Sequence, residues 1–157
     1  MLHHPFEPII NNDSRVLVLG SFPSVKSREN SFYYGHPQNR FWPMLAMIFR
    51  QHIPLTIQEK TELLHQHRIA LWDVIERCEL DGSMDSSIRD AHPNDISSLL
   101  KTAPIERVLL NGQLAGKLYL RYFGESPLPY LVLPSTSPAN AAWSLQRLAD
   151  AWQPFLL

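Results

Sequence analysis

The sequence is poor in the features that mark secreted, membrane-spanning and strongly cationic proteins. Cys78 is the single cysteine among 157 residues, which excludes an internal disulfide framework and any metal site built from several thiolates. No apolar run approaches the ~20 residues of a membrane span, and the amino terminus lacks the basic start and apolar core of a signal peptide. Lys and Arg number 14 against 15 Asp and Glu, so a bulk basic surface is absent. We expect a soluble cytoplasmic protein.

The rest of the composition is typical of one compact domain. Apolar residues make up 45% of the chain and charged residues 18%, which favours a globular protein over a disordered or coiled-coil one. A length of 157 residues supports one hydrophobic core, and no repeat or linker interrupts the chain. We predict a single domain over residues 1–157.

Four short apolar runs predict strands, at residues 15–20, 69–75, 107–111 and 129–134. Each run is continuous rather than alternating, as in strands that are covered on both faces. Helical periodicity lies between and after them: around 41–49, from Thr56, at 97–101, at 114–122 and at 145–152. This alternation predicts an α/β fold, a three-layer α/β/α sandwich with a central four-stranded parallel sheet. Its functional site should lie at the carboxyl ends of the strands.

The loop after the first predicted strand contains Gly20-Ser-Phe-Pro-Ser24 and continues to Lys26-Ser27, which nearly matches a phosphate-binding P-loop. Val25 stands where the P-loop requires glycine, so we expect a different use. The loop is either an ordinary turn or a cradle that holds one phosphate or the edge of one heterocycle.

Two further loops contain side chains suited to nucleic-acid recognition. Tyr33, Tyr34 and Asn39 combine aromatic faces with an amide, as a base-reading pocket requires, whereas Phe41 and Trp42 are expected to pack in the core. The loop at 134–140 offers hydroxyls and a predicted helix start that can hold a phosphate. Asn140 as a simple helix cap is an equally weighted interpretation.

The remaining candidates carry weaker signals. His3 and His4 are expected to be disordered because they are near the terminus, and Cys78 is expected to be inert. The acidic stretch 73–95 is expected to face away from a polyanion, whereas the segment from Lys26 to Arg40 is electropositive.

Taken together, the segments 20–24, 34–42 and 134–140 resemble those of the uracil-DNA glycosylase superfamily. The resemblance rests on Gly20-Ser-Phe-Pro-Ser24, on Tyr34-Gly-His-Pro-Gln-Asn-Arg-Phe-Trp42 and on Pro134-Ser-Thr-Ser-Pro-Ala-Asn140, and it covers nearly the whole chain. The run 34–42 is also similar to one in the mismatch-specific uracil and thymine glycosylases. The pattern is most similar to that of the hypoxanthine-DNA glycosylase branch.

The resemblance implies a set of site residues. Phe22 stands where many members carry a catalytic Asp or Asn, so that role passes to Asn39. Leu133 replaces a His or Asn of the uracil-specific members, which puts efficient uracil removal in doubt. The implied base-binding residues are Gly20, Ser21, Phe22, Pro23 and Tyr34. The implied DNA-binding residues are Ser24, Lys26, Arg40, Asn111, Gly112, Ser135, Thr136, Ser137, Pro138 and Asn140.

The implied activity is excision of a deaminated base from DNA. The base, most often hypoxanthine from deoxyinosine, is turned out of the helix, and water cleaves its glycosidic bond to leave an abasic site. The expected protein is a nucleoid-associated monomer that acts on double-stranded DNA, with single-stranded DNA as a further substrate form, and needs no metal or other cofactor. Alternatives are a uracil or thymine mismatch glycosylase, a non-catalytic nucleic-acid-binding module and a nucleotide hydrolase.

Overall fold

The computed structural model describes residues 2–29, 32–79, 89–126 and 128–157. Its elements in chain order are β1 (Leu2–His3), β2 (Val16–Gly20), α1 (Val25–Glu29), α2 (Phe41–Phe49), α3 (Ile57–Gln66), β3 (Ile69–Asp73), β4 (Ile75–Glu79), β5 (Arg89–Pro93), α4 (Ile96–Leu99), β6 (Arg107–Asn111), α5 (Gln113–Phe123), β7 (Tyr130–Leu133) and α6 (Leu145–Leu156). Strands β3, β2, β6 and β7 form a parallel sheet in that order. The predicted four-stranded sheet is therefore confirmed.

Strand β2 is central in this sheet and is buried on both faces. Val16 and Val18 point into one core, whereas Leu17 and Leu19 point into the other, because successive side chains of a strand alternate. Two separate cores explain why the strand is a continuous apolar run rather than an alternating one.

Helices cover both faces of the sheet, which confirms the predicted three layers. The apolar sides of α2, α3 and α6 join Val16 and Val18 in one core. The apolar sides of α4 and α5 join Leu17 and Leu19 in the other core. Right-handed crossovers between parallel strands place helices in this way.

The ends of the helices follow local capping chemistry. Thr56 accepts a hydrogen bond from the Glu59 backbone N–H at 3.0 Å, which caps α3 at the residue from which the helix was predicted. The interpretation of Asn140 as the cap of α6 was wrong. Ser144 caps that helix by accepting from the Arg147 N–H at 3.2 Å, and Asn140 lies in the preceding loop.

A second sheet of three antiparallel strands, β1, β4 and β5, was not predicted. The predicted strand 69–75 ends at Asp73, because the N–H groups of Val74 and Ile75 donate to the carbonyls of Gly20 and Ser21 and the chain then turns away. Strand β4 pairs with β1, so that His3 faces Arg77 across the sheet. The expectation of a disordered amino terminus was therefore wrong for His3.

One further sequence expectation concerns Cys78. Cys78 is fully buried, and burial raises the pKa of its thiol, which agrees with an inert cysteine. Within the described ranges, no helix is long and apolar enough to cross a membrane.

We expect Leu17→Ala to lower the free energy of unfolding by about 2–5 kcal/mol, because it opens a cavity beside the central strand. Leu17 is fully buried, whereas Leu55 is 79% exposed, so Leu55→Ala serves as the control and should change stability by less than about 0.5 kcal/mol. Urea unfolding followed by circular dichroism measures both. Equal losses in the two variants would contradict this account of the core.

Candidate active site

A cleft of about 550 Å³, counting its open mouth, lies at the carboxyl ends of the parallel strands. This is the position expected for a site in an open α/β sheet. Its lining comprises Gly20, Ser21, Phe22, Pro23, Ser24, Ser27, Tyr33, Tyr34, Asn39, Asp73, Asn111, Ser135, Thr136 and Ser137.

Gly20, the last residue of β2, makes room for two functional side chains. A Cβ atom at this position would lie 2.4 Å from Asp73 Oδ1 and 3.0 Å from Tyr34 Oη. Any larger residue would therefore displace a carboxylate and a phenol from the floor of the cleft. The carbonyls of Gly20 and Ser21 accept hydrogen bonds from the backbone N–H groups of Val74 and Ile75. These bonds fix the loop at residues 20–24, called the first loop below, to the end of β3.

Asn39 lies just before α2 and uses its side-chain oxygen to hold the structure together. Asn39 Oδ1 accepts from the Phe41 backbone N–H at 2.9 Å and from Thr136 Oγ1 at 3.0 Å. An amide oxygen has two lone pairs, so both are already used. The amide Nδ2 has no hydrogen-bond partner among the described residues, and Asn39 is one of the residues that line the cleft.

The loop at residues 134–140, called the second loop below, is attached to the end of β6 through Asn111. Asn111 Nδ2 donates to Thr136 Oγ1 at 3.0 Å, and Asn111 Oδ1 accepts from the Thr136 backbone N–H at 3.0 Å. Gly112 follows with a φ of +100°, and a Cβ there would lie 3.0 Å from Ser135 Cβ. Both the backbone conformation and the close approach of the loop require glycine at this position.

Arg40, which was expected to contact DNA, makes hydrogen bonds within the protein. Its guanidinium donates to the carbonyls of Ser137 at 2.9 Å and Asn140 at 3.0 Å, and also to the carbonyl of Trp143. Arg40 does not line the cleft. The side chain is a clamp that orders the second loop, since a guanidinium can satisfy several carbonyls at once.

A buried histidine–carboxylate pair, His4 with Asp73, was not predicted from the sequence. His4 Nε2 lies 2.7 Å from Asp73 Oδ2, and the two side chains are only 3% and 5% exposed. The expectation that His4 is disordered was therefore wrong. The expectation that the acidic stretch faces away from the site was wrong for Asp73, because its carboxylate lines the cleft.

Aromatic rings form the wall around this pair. The ring of Tyr34 lies 4.3 Å from that of Phe41, with 30° between their planes, so one face of Tyr34 is already supported. Tyr33 is buried and donates its hydroxyl to the Glu7 carbonyl at 2.8 Å. Burial, with the Asp73 charge adding to it, raises the pKa of Tyr33 far above its ordinary value, so its phenol stays neutral. Phe41 and Trp42 pack in the core, as predicted.

Most of the residues predicted from sequence meet in this one cleft. The predicted residues that do not line it are Arg40, Gly112, Pro138 and Asn140. The Lys26 side chain lies outside the part of the chain that the structure describes. The residues that were missed are Ser27 and Asp73 in the lining and His4 behind it. Position alone could have indicated Asp73, since it lies near the carboxyl end of the predicted strand 69–75, at the edge where the site was expected.

The fold is an α/β domain whose cleft lies at the carboxyl ends of a parallel sheet, where α/β enzymes bind their ligands. The chain belongs to the uracil DNA glycosylase superfamily, whose family model matches residues 7–156. The resemblance inferred from the loop motifs is thereby confirmed.

Relatives and a solved structure agree with this assignment over the full domain. Two relatives named hypoxanthine DNA glycosylase are each 34% identical to this chain. The Methanosarcina acetivorans protein aligns over 98% of this chain and 97% of its own length, and the Methanosarcina barkeri protein over 94% and 93%. A solution NMR structure of a candidate uracil DNA glycosylase from Methanosarcina acetivorans superposes with a TM-score of 0.85. It is 32% identical and covers 99% of this chain and 97% of that chain.

We expect Arg40→Lys to destabilise the second loop, because a lysine ammonium cannot replace the planar fork that serves three carbonyls. The free energy of unfolding should fall by about 1–3 kcal/mol as half-buried carbonyls lose their donors. Amide hydrogen exchange should accelerate at 137–143 and stay unchanged in β2. The exposed Arg121→Lys is the control, and matching exchange in the two variants would show that Arg40 does not order the loop.

Proposed function

We propose that this chain is a DNA glycosylase that removes hypoxanthine from deoxyinosine in DNA and leaves an abasic site. The observation that carries the proposal is the meeting of the first loop, Asn39 and the second loop in one cleft of a superfamily member. The names of the two Methanosarcina relatives support hypoxanthine as the base.

The cleft is suited to a base that has been turned out of the helix. Tyr34 offers a ring that is backed by Phe41, and Phe22 supplies a second apolar surface in the lining. Stacking on aromatic rings offsets part of the cost of removing a base from the duplex, and that cost is lowest for a weakly paired base. Gly20, Ser21 and Pro23 complete the base-binding surface.

We propose Asn39 as the catalytic residue, acting through its amide Nδ2. Cleavage of the glycosidic bond places positive charge on the sugar and negative charge on the departing base. A donor that is already fixed in place stabilises the negative charge without reorganisation. The side-chain oxygen of Asn39 is not free to position the attacking water, because it accepts from the Phe41 N–H and the Thr136 hydroxyl.

The phosphates on either side of the extruded nucleotide are proposed to lie along the two loops. Ser24 and Ser135 to Ser137 line the cleft, and Asn111 holds the second loop in place. Lys26, Arg40, Gly112, Pro138 and Asn140 remain proposed DNA contacts. Double-stranded DNA is the proposed substrate and a monomer the proposed working form. The Arg28 guanidinium, 5.9 Å from the centre of the Phe22 ring, adds a cation close to the first loop.

Direct hydrolysis fits this lining better than a lyase reaction does. The described lining residues provide hydroxyls, amides and one carboxylate but no amine. A Schiff base requires an amine nucleophile, whereas an oxocarbenium-like sugar is attacked by water.

The test is a strand-cleavage assay on matched duplexes that carry one hypoxanthine, uracil, xanthine or mismatched thymine. Alkali treatment after incubation converts each abasic site into a break. We expect cleavage at hypoxanthine well above the other three bases. Preference for uracil or mismatched thymine would favour the mismatch glycosylases instead, and binding without cleavage would favour a non-catalytic module.

Asn39→Asp separates the role of Nδ2 from that of Oδ1. Aspartate keeps an oxygen for Phe41 and Thr136 but replaces the donor with an acceptor, so folding should be retained. We expect single-turnover excision to fall at least 100-fold, as when one preorganised donor is lost. The exposed Asn12→Asp is the control. A variant at Asn39 that keeps most of its rate would remove this residue from the mechanism.

A further inference from the structure

The carboxylate of Asp73 is a buried acceptor that the mechanism above does not use. It lies at the end of β3, in the floor of the cleft, with its side chain only 5% exposed. Oδ2 is paired with His4 Nε2 at 2.7 Å. Oδ1 is the oxygen closest to Gly20, and it has no hydrogen-bond partner among the described residues.

His4 fixes which oxygen of the carboxylate remains available. Its Nδ1 lies 3.2 Å from the Phe6 backbone nitrogen and 2.9 Å from the Phe6 carbonyl, while rings of Phe6, Phe22 and Tyr33 surround the imidazole. Against an ionised carboxylate Nε2 carries the hydrogen, so His4 donates to Oδ2. Strand β1 and the aromatic rings thus hold the imidazole, and the imidazole holds the carboxylate.

A carboxylate in this position is costly unless a ligand completes it. An ionised carboxyl group accepts about four hydrogen bonds and donates none. Burial of a charge that is only partly satisfied destabilises the fold, and the described residues place no Lys or Arg in the cleft lining. A ligand that donates a hydrogen bond to Oδ1 would supply what the protein leaves out.

Deamination of adenine or cytosine creates such a donor. Adenine at N1 and cytosine at N3 have a lone pair, whereas their deamination products, hypoxanthine at N1 and uracil at N3, have an N–H beside a carbonyl. A pure acceptor attracts the second group and repels the first. Asn39 lines the same cleft, and its Nδ2 is a donor that could serve the neighbouring carbonyl oxygen.

We propose that Asp73 is a specificity-determining residue, whose Oδ1 accepts a hydrogen bond from the ring N–H of the extruded base, and that His4 is its positioning residue. The inference rests on the proposed function and deepens it: the cleft detects the change that deamination makes, a ring nitrogen turned from acceptor into donor. Undamaged adenine is rejected because two acceptors meet with no hydrogen between them.

Asp73→Asn tests this with a nearly isosteric side chain. His4 Nε2–H requires an acceptor, so the new amide should turn its oxygen toward His4 and its NH₂ toward the cleft. The cleft would then favour a lone pair over an N–H. Asp13→Asn, at an exposed position, is the matched control.

The measurement is equilibrium binding to two duplexes with an uncleavable 2′-fluoroarabino nucleotide, one carrying hypoxanthine and one carrying unsubstituted purine, which has a lone pair at N1. Differences in pairing between the duplexes cancel when the hypoxanthine-to-purine ratio of a variant is divided by that of the wild type. We expect this ratio to fall at least tenfold in Asp73→Asn and to stay unchanged in Asp13→Asn. His4→Leu should give a partial fall, and a wild-type ratio there would reduce His4 to a packing role.

The outcomes separate this inference from the proposed function. A wild-type chain that discriminates between bases, with an unchanged ratio in Asp73→Asn, overturns the role of Asp73 and leaves the glycosylase intact. A wild-type chain that neither cleaves nor discriminates overturns the proposed function and this inference with it. If Asp73→Asn does not fold, the wild type decides with each base placed opposite an abasic site, where neither base is paired: it should bind hypoxanthine at least tenfold more tightly than purine, and equal binding overturns the inference.

Discussion

The hydrogen bonds of Thr136 join the three parts of the cleft. Its hydroxyl donates to Asn39 Oδ1 and accepts from Asn111 Nδ2, its N–H donates to Asn111 Oδ1, and its carbonyl accepts from the Arg40 N–H at 3.0 Å. Thr136 is fully buried, so each of these groups would be costly without its partner. One threonine therefore ties the end of β6, the start of α2 and the second loop to a single geometry.

This network explains why the residues expected to touch DNA divide into two kinds. Asn111 and Arg40 donate hydrogen bonds to the second loop, whereas Ser135 and Ser137 line the cleft. A loop that is ordered before DNA arrives loses little conformational entropy on binding. The polar side chains that hold the site together are thus as necessary as the ones that face the substrate.

The opposite wall of the cleft depends on the amino terminus in the same way. Strand β1 pairs with β4, which places His4 behind Asp73 and the ring of Phe22 beside His4. The small second sheet therefore supports the wall of the cleft that Asp73 and Phe22 form, in addition to extending the fold.

The sequence by itself determined the layers and the two loops. Continuous apolar runs specify strands buried on both faces, helical periodicity specifies the helices between them, and the carboxyl ends of parallel strands must share one edge. The motifs around Gly20, Asn39 and Ser135 were therefore predictable as one site. These signals are local, or follow from topology alone.

Only the tertiary structure decided which polar atoms remain available in the cleft. The guanidinium of Arg40 and the oxygen of Asn39 are occupied by partners about 100 residues along the chain, and His4 reaches Asp73 across 69 residues. No local pattern encodes such pairings, because a hydrogen bond between distant residues depends on how the layers pack. Residue type predicts which hydrogen bonds a side chain can make. The fold determines whether its donors and acceptors are already bonded to other residues of the protein.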